Sequence, residues 1–496
     1  LIRDAEDNVP VILKKKKNGW VKWVALAASI LLIALAVPVG ILALRGNQAG
    51  MSAEKDFARD GDAEGKAAAT LPVSAAPTYA PGHPDGEEPA YLTGRDGVKY
   101  EAAEIPARDP ADPLCPTEKG EQPVPQSGQL TAAAWDDNLH YSQWLELFAE
   151  FNSKQEPGKF RDTDAYSYRL SDWGLATDRR ITVTVRYGDA PVADAYVKLD
   201  GSGTVVNART NANGIAYLFA EPVGSLTVKS GQISLTEELN GRTEVEVSLL
   251  VPKQTPVPGP GAEPASPAAK RDVIELMLVI DVTGSMEDEL VYIQKELENV
   301  LDRVVKGNPN TQVKLALLFY RDHGDQEVFR YVDFTDVTDQ TAFVELKQIL
   351  LSERADGGGD LPEAVDEALE MAVGKDWSDN TTKLIFHIMD APAHDEAGAR
   401  NRFKTAVQTA AKKGIRICPV MASGADRIAE FLCRSEAVMT GGTFVFLTDD
   451  SGIGYGHLDP QLPDAVHEHL NHLMVRLILG YHTGTFADPI TWNEEE

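Results

Sequence analysis

The chain has 496 residues, of which 76 are acidic and 47 basic, for a formal net charge of −29. At about 100–200 residues per domain that length needs several cores, and the acidic excess excludes a general nucleic-acid binder, whose affinity comes from Lys and Arg neutralising phosphates. Three cysteines exclude a disulfide-dense scaffold and any multi-cysteine zinc module.

Val24 to Leu44 is a run of 21 residues without a charge. It is long enough to cross a hydrocarbon core as a helix, which takes about 20 apolar residues. Trp20 and Trp23 stand where interfacial aromatics belong. Lys14, Lys15, Lys16, Lys17 and Lys22 lie on one side, and Arg45 alone follows closely on the other. The positive-inside bias then gives a cytoplasmic tail at 1–19, a transmembrane helix at 20–45, and an extracytoplasmic remainder at the cell surface or in the periplasm. The alternative is a cleaved signal peptide, whose apolar run is usually shorter. No second run of this kind exists, so the expectation is a single-pass protein anchored in the lipid bilayer.

Residues 46–127 are rich in Ala, Gly, Pro and acidic residues, with eleven prolines between Pro72 and Pro125. Such composition cannot bury enough apolar surface to offset ordering entropy, so this stretch reads as a disordered stalk. A second Pro-rich linker, 251–270, carries six prolines from Pro252 to Pro267. Between them, 128–250 reads as a helical element followed by a β-sandwich domain. AWDDNLHYSQWLELF (134–148) has apolar residues near helical spacing. The segments 181–187, 195–200, 204–210, 215–219, 225–230 and 244–251 alternate in the manner of short strands. Turn residues such as Asn211-Ala212-Asn213-Gly214 separate them, which suggests an antiparallel sandwich. The phrase DAPVADAYVKLDG…TNANGIAYLF resembles the regulatory β-sandwich of carboxypeptidases, and that resemblance implies a spacer or contact module.

Residues 271–485 alternate buried strands with amphipathic helices, ahead of an acidic tail at 486–496. Strands are expected at 274–281, 313–322, 382–390, 415–421 and 443–448, and helices about 338–352, 361–374, 425–438 and 461–479. The pattern argues for a doubly wound, mostly parallel α/β sheet, whose ligand sites lie beyond the carboxyl ends of its strands. Polar residues gather at those ends: Asp281-Val282-Thr283-Gly284-Ser285, Asp322, Gly357-Gly358-Gly359-Asp360 and Asp390. Carboxylates and hydroxyls from several loops make a hard oxygen set suited to Mg²⁺.

In these residues the chain resembles the von Willebrand factor A domain with its metal-ion-dependent adhesion site. The resemblance implies that Thr283 and Ser285 meet the metal through hydroxyls, while Asp281 and Asp390 hold metal-bound waters or coordinate directly. The family usually places Thr in the third loop, where this chain aligns Asp360. That extra carboxylate makes Ca²⁺ or Mn²⁺ acceptable beside Mg²⁺. Asp360 also reads as a helix N-cap before Leu361-Pro362-Glu363, and Asp322 as a turn-forming carboxylate in YRDHGD.

Other signals carry less chemistry. His467, His469 and His472 lack zincin spacing and read as a solvated helix face. His387, inside an apolar strand, reads as a hydrogen-bonded core histidine. Cys418 and Cys433 either pair as a disulfide or stay as two buried thiols. No nucleophile elbow or phosphate loop is present. The expected function is therefore not enzymatic: a membrane-anchored adhesion or binding protein that captures a protein ligand through a divalent metal. A scaffold for assembling a membrane or envelope complex is the alternative. A metal-dependent hydrolase is a remote one, with His323 and His394 as its only candidate bases.

Overall fold

The structure, a computed structural model, describes residues 91–93, 99–101, 124–149, 169–201, 203–250, 266–359 and 361–493. The expected anchor at 20–45, most of the stalk, residues 251–265 of the linker, and Asp360 lie outside them. Among the described residues no helix is long and apolar enough to cross a membrane. The described residues before Asp109 belong to a unit of their own. Within it β1 (Tyr91–Thr93) and β2 (Lys99–Glu101) pair as a short antiparallel hairpin.

The second unit opens with β3 (Thr131–Trp135) and α1 (Tyr141–Ala149). A β-sandwich follows, made of β4 (Arg180–Tyr187), β5 (Ala190–Pro191), β6 (Tyr196–Gly201), β7 (Thr204–Arg209), β8 (Ile215–Phe219), β9 (Ser225–Ser230), β10 (Ile233–Glu238) and β11 (Glu244–Ser248). One sheet runs β10-β9-β6-β7. In the other, β4 is flanked by β11 and shared by β5 and β8. Alternation along β4 sends Ile181, Val183 and Val185 into the core, where Val197, Leu199 and Leu226 meet them. This is the period-two burial expected of facing sheets. The expectation of an all-antiparallel sandwich needs one correction: β11 pairs with β4 in parallel.

The larger domain contains β12 (Val273–Asp281), α2 (Leu290–Gly307), β13 (Gln312–Tyr320), β14 (Phe329–Asp336) and α3 (Gln340–Ser352). It continues with α4 (Val365–Gly374), β15 (Thr382–Met389), α5 (Ala397–Lys413), β16 (Ile415–Met421), α6 (Arg427–Thr440), β17 (Phe444–Leu447), β18 (His467–His469) and α7 (Leu470–Thr483). Its eight-stranded sheet runs β14-β13-β12-β15-β16-β17-β3-β18. The strands from β13 to β17 are parallel, and β14, β3 and β18 are antiparallel to their neighbours. Every residue of β12 and β15 is buried, as befits parallel strands covered on both faces. Leu276, Leu278 and Ile280 face α2 and α7 in one core, while Met277 and Val279 face α4, α5 and α6 in another.

Three boundaries differ from expectation. Thr131–Trp135 belongs to the larger sheet, although 128–250 read as a separate domain. It sits between β17 and β18, with Ala132 and Ala133 fully buried. The helix expected from 361 starts at Val365, with Ala364 in the N-cap position. The last helix, expected about 461–479, starts at Leu470, because His467–His469 pairs with β3 instead. Cys418 and Cys433 are two free, buried thiols. Burial pushes the Cys418 thiol up to about 12 and Cys433 well above its ordinary value.

The sandwich docks at the amino ends of the parallel strands. Asp194 accepts from the Asn380 amide at 2.7 Å and lies 3.5 Å from the Lys383 ammonium, while Arg416 donates to the Arg209 carbonyl at 2.8 Å. Asn213 donates to the carbonyl of Gly484, just after α7, at 3.0 Å. This arrangement leaves the carboxyl ends of the strands clear of the sandwich.

Candidate functional site

Strand order reverses at β12: β13 lies on one side and β15 on the other. The crevice beyond their carboxyl ends is thus a topological switch point, where sheets of this kind bind ligands. Asp281 closes β12, and Asp390 follows Met389 at the end of β15.

The first loop is built around Asp281. Its Oδ1 accepts from the Thr283 amide at 2.9 Å and from the Thr283 hydroxyl at 2.7 Å, and Thr283 Oγ1 lies 3.1 Å from Ser285 Oγ. The side chains of Asp281 and Thr283 are buried, and Ser285 is exposed at the mouth. The Gly284 amide donates to the Gly357 carbonyl at 3.2 Å, and the Asp356 amide donates to the Val282 carbonyl at 3.0 Å. These two bonds lock the glycine loop onto the first loop. Gly358 has φ +83°, and a Cβ there would stand 3.0 Å from Glu363 Oε1 and 3.3 Å from Thr283 Cβ. Only glycine fits both the conformation and the approach.

Ser285 donates toward the Asp390 carboxylate, so the two expected loops do converge. Three carboxylates around the crevice keep an oxygen that is buried and without a hydrogen-bond partner: Asp281 Oδ2, Asp390 Oδ1 and Glu363 Oε2. Burial raises all three pKa values. For Asp390 the Asp281 charge adds to it. Glu363 is pushed up to about 9, by burial first and then by Asp281, Asp322 and Asp390. Buried carboxylates with orphaned oxygens are costly unless a cation or a proton compensates them. Asp281, Asp390 and Glu363 therefore fit a divalent cation, with the hydroxyls of Thr283 and Ser285 as further hard donors.

Glu363 is the residue the sequence reading missed as a member of this group. Its amide donates to the Pro392 carbonyl at 3.0 Å, and it forms an isolated parallel bridge with Ala393. The turn before α4 is thereby pinned beside Asp390. The only available signal was its position in GGGDLPEAV. Asp322, read as a turn former, accepts at its carbonyl from the Asp325 amide at 3.3 Å. Its carboxylate also lies 2.7 Å from His394 Nε2. His387 is the expected core histidine: Nδ1 is 3.0 Å from Glu436 and Nε2 is 3.2 Å from the Tyr320 hydroxyl. His467 and His469 lie on β18 and His472 on α7 rather than on one helix face.

An α/β domain with its polar loops gathered at a switch point of a mixed sheet has the arrangement in which sheets of this kind place their ligand sites. Residues 275–443 match the family model of the von Willebrand factor A domain, and this part of the chain is such a domain. Among curated proteins, the alpha-protein kinase vwkA of Dictyostelium discoideum is 23% identical over 130 residues, 25% of this chain and 19% of that protein. The putative ariadne-like RING finger protein R811 of Acanthamoeba polyphaga mimivirus is 28% identical over 137 residues, 28% of this chain and 13% of that protein. The chain thus spans less than a fifth of either relative. Among solved structures, the conserved hypothetical protein BatB of Bacteroides thetaiotaomicron is 19% identical with a TM-score of 0.26, covering 35% of this chain and 89% of that one. An aerotolerance-related membrane protein of Bacteroides fragilis is 16% identical with a TM-score of 0.28, covering 43% and 100%.

Proposed function

We propose that the A domain captures a protein ligand through a divalent cation held by Asp281, Thr283, Ser285 and Asp390, with Asp360 contributing from the third loop. Glu363 lies against the same group. The supporting observation is a pair of buried oxygens left without a hydrogen bond, Asp281 Oδ2 and Asp390 Oδ1, at the carboxyl ends of β12 and β15 beside the hydroxyls of Thr283 and Ser285. Mg²⁺ suits this set, and Ca²⁺ or Mn²⁺ can occupy the same oxygens. When bound, the cation supplies a positive anchor for an oxygen of the partner. On a chain of net charge −29, it also offsets the repulsion an acidic partner would otherwise meet.

The remaining residues serve presentation in this reading. The apolar run at 24–44 anchors the chain in the membrane, the Pro-rich stretch holds the folded part away from it, and the carboxypeptidase-like sandwich acts as a spacer. Docking of the sandwich at the opposite end of the sheet supports that role, because it leaves the crevice accessible. The reading is of a binding protein, not an enzyme.

The test is calorimetry of Mg²⁺ with the full chain and with Asp281→Ala. Binding by the wild type and none by the variant supports the reading; equal binding by both overturns it. Crosslinking in intact cells, with Mg²⁺ and with chelator, then separates capture of an external ligand from assembly with a constant membrane neighbour.

A further inference from the structure

A second group of side chains lies one loop away and has different chemistry. Asp322 and His323 follow β13, and His394 follows β15. Each offers a ligand atom, and these atoms all lie within 4.8 Å of one another. Asp322 Oδ1 is 2.7 Å from His394 Nε2, and the His323 and His394 rings stack with centroids 5.0 Å apart and planes 11° from parallel. On its far side, His323 Nε2 is 3.3 Å from Glu367 Oε2, and Glu367 Oε1 is 3.3 Å from Arg402 Nη2.

The supports are fixed from several directions. Asp322 is 3% exposed, and its amide donates to Asp325 Oδ2 at 3.2 Å, the same oxygen that accepts from the Gly358 amide at 3.0 Å. His394 adjoins Ala393, which is bridged to Glu363. The His323 side chain is 48% exposed, so the group is anchored on its Asp322 side and open to water on its His323 side. A metal-ligating histidine characteristically directs its other ring nitrogen to a carboxylate, which sets the tautomer and the ring plane. Glu367 stands in that relation to His323, which leaves Nδ1 for a metal.

A hydrogen-bonded Asp322–His394 pair would account for two of these residues. It does not account for a second imidazole laid parallel to the first and held by a carboxylate that an arginine in turn steadies. We propose that Asp322, His323 and His394 form a binding site for a first-row transition dication of the Zn²⁺ class, distinct from the all-oxygen crevice, with water completing the shell. Two imidazoles and one carboxylate suit Zn²⁺ and its neighbours, whereas Mg²⁺ and Ca²⁺ prefer oxygen alone. This site does not depend on Mg²⁺ binding at Asp281.

The experiment titrates Co²⁺ into the full chain under excess Mg²⁺, reading visible absorption, and then displaces it with Zn²⁺. One Co²⁺ per chain, displaced by Zn²⁺, is expected in the wild type and equally in Asp281→Ala. Affinity should fall by at least about 100-fold in His394→Ala and in His323→Ala, and by about 10-fold in Glu367→Gln. His323 is half exposed, so its variant reports even if His394→Ala fails to fold. Wild-type affinity in His323→Ala, loss of the Co²⁺ spectrum in Asp281→Ala, or no Co²⁺ bound by the wild type would each overturn the proposal.

Discussion

Asp137 and Arg434 form a fully buried two-pronged ion pair between residues 297 positions apart in the chain. Arg434 Nη2 lies 2.7 Å from Asp137 Oδ1 and Nε lies 3.0 Å from Oδ2. Asp137 follows β3, and Arg434 is on α6, where Nη1 also reaches Glu430 at 3.2 Å. The guanidinium additionally lies 5.1 Å from the Trp144 ring of α1. The segment before the sandwich is therefore part of the A domain's own core. Removing one partner of such a pair leaves buried charge uncompensated, at a cost of about 3–5 kcal/mol. Arg434→Met is expected to destabilise the larger domain by that amount in urea unfolding. Asp137→Asn combined with it should cost less than the sum of the two singles, because the carboxylate stranded by the first change is gone. Strict additivity would show that the pair does not couple the segment to α6.

Glu296 holds the same segment at its other end. Its buried carboxylate accepts from the amides of Gly128, Gln129 and Leu130 at 2.7–3.0 Å. Burial raises its pKa against those three bonds. Glu296→Ala orphans three amides next to an edge-proximal strand, so β3 should open locally more often. Hydrogen exchange is expected to speed up at Thr131–Trp135 while β12 and β15 stay protected. Unchanged protection at β3 would mean that pairing with β17 and β18 suffices without the carboxylate.

The parallel core was legible because β12 and β15 are mostly apolar runs, interrupted only by Glu275 in the one and by Lys383 and His387 in the other, next to helices with a clear buried face. The sandwich was legible from period-two alternation bounded by Gly and Asn turns. β3 was not, because TAAAW has little β propensity of its own and gains its place from partners at Phe444–Leu447 and His467–His469, more than 300 positions away. The same pairing hid the true start of α7, since HEH reads as helix until β3 claims it. At the crevice, Asp281, Thr283, Ser285 and Asp390 could be named from loop positions in an α/β pattern. Glu363 could not, because its place depends on the bridge to Ala393, a contact between two loops that no local spacing encodes.

His457 gives the domain a pH-dependent tie. Its Nε2 is 2.7 Å from Glu289 Oε1 and its Nδ1 is 2.7 Å from Asp449 Oδ1. Burial opposes the imidazolium, but the two carboxylates outweigh it, so His457 titrates above its ordinary 6.5. A raised value in the folded state means that folding favours the proton. The stabilisation is complete below the unfolded value and is lost as pH rises through the folded one. The melting temperature should therefore fall as pH rises above the ordinary imidazole value of about 6.5 more steeply in the wild type than in His457→Gln, which cannot change charge there. Parallel profiles for the two proteins would remove His457 from the account.

Gly358 joins the backbone of the third loop to the chemistry of the first. With φ at +83° and a would-be Cβ 3.0 Å from Glu363 Oε1, it allows the loop to pass between Glu363 and Thr283. Gly358→Ala forces either the left-handed conformation on an L-residue, at about 1–2 kcal/mol, or a shift of the loop away from the crevice. The second route also weakens the Gly357 carbonyl's grip on the Gly284 amide, because the two glycines are adjacent, and Ser285 would move with it. The expected result is a modest loss of stability with a larger loss of Mg²⁺ affinity in calorimetry. A surface loop elsewhere offers the contrast: Gly241, at φ +85°, has nothing within 4 Å of a would-be Cβ. Gly241→Ala should pay a similar conformational cost and leave Mg²⁺ binding unchanged. If both variants bind Mg²⁺ like the wild type, the glycine loop does not shape the crevice, and Asp281, Thr283 and Ser285 hold their arrangement without it.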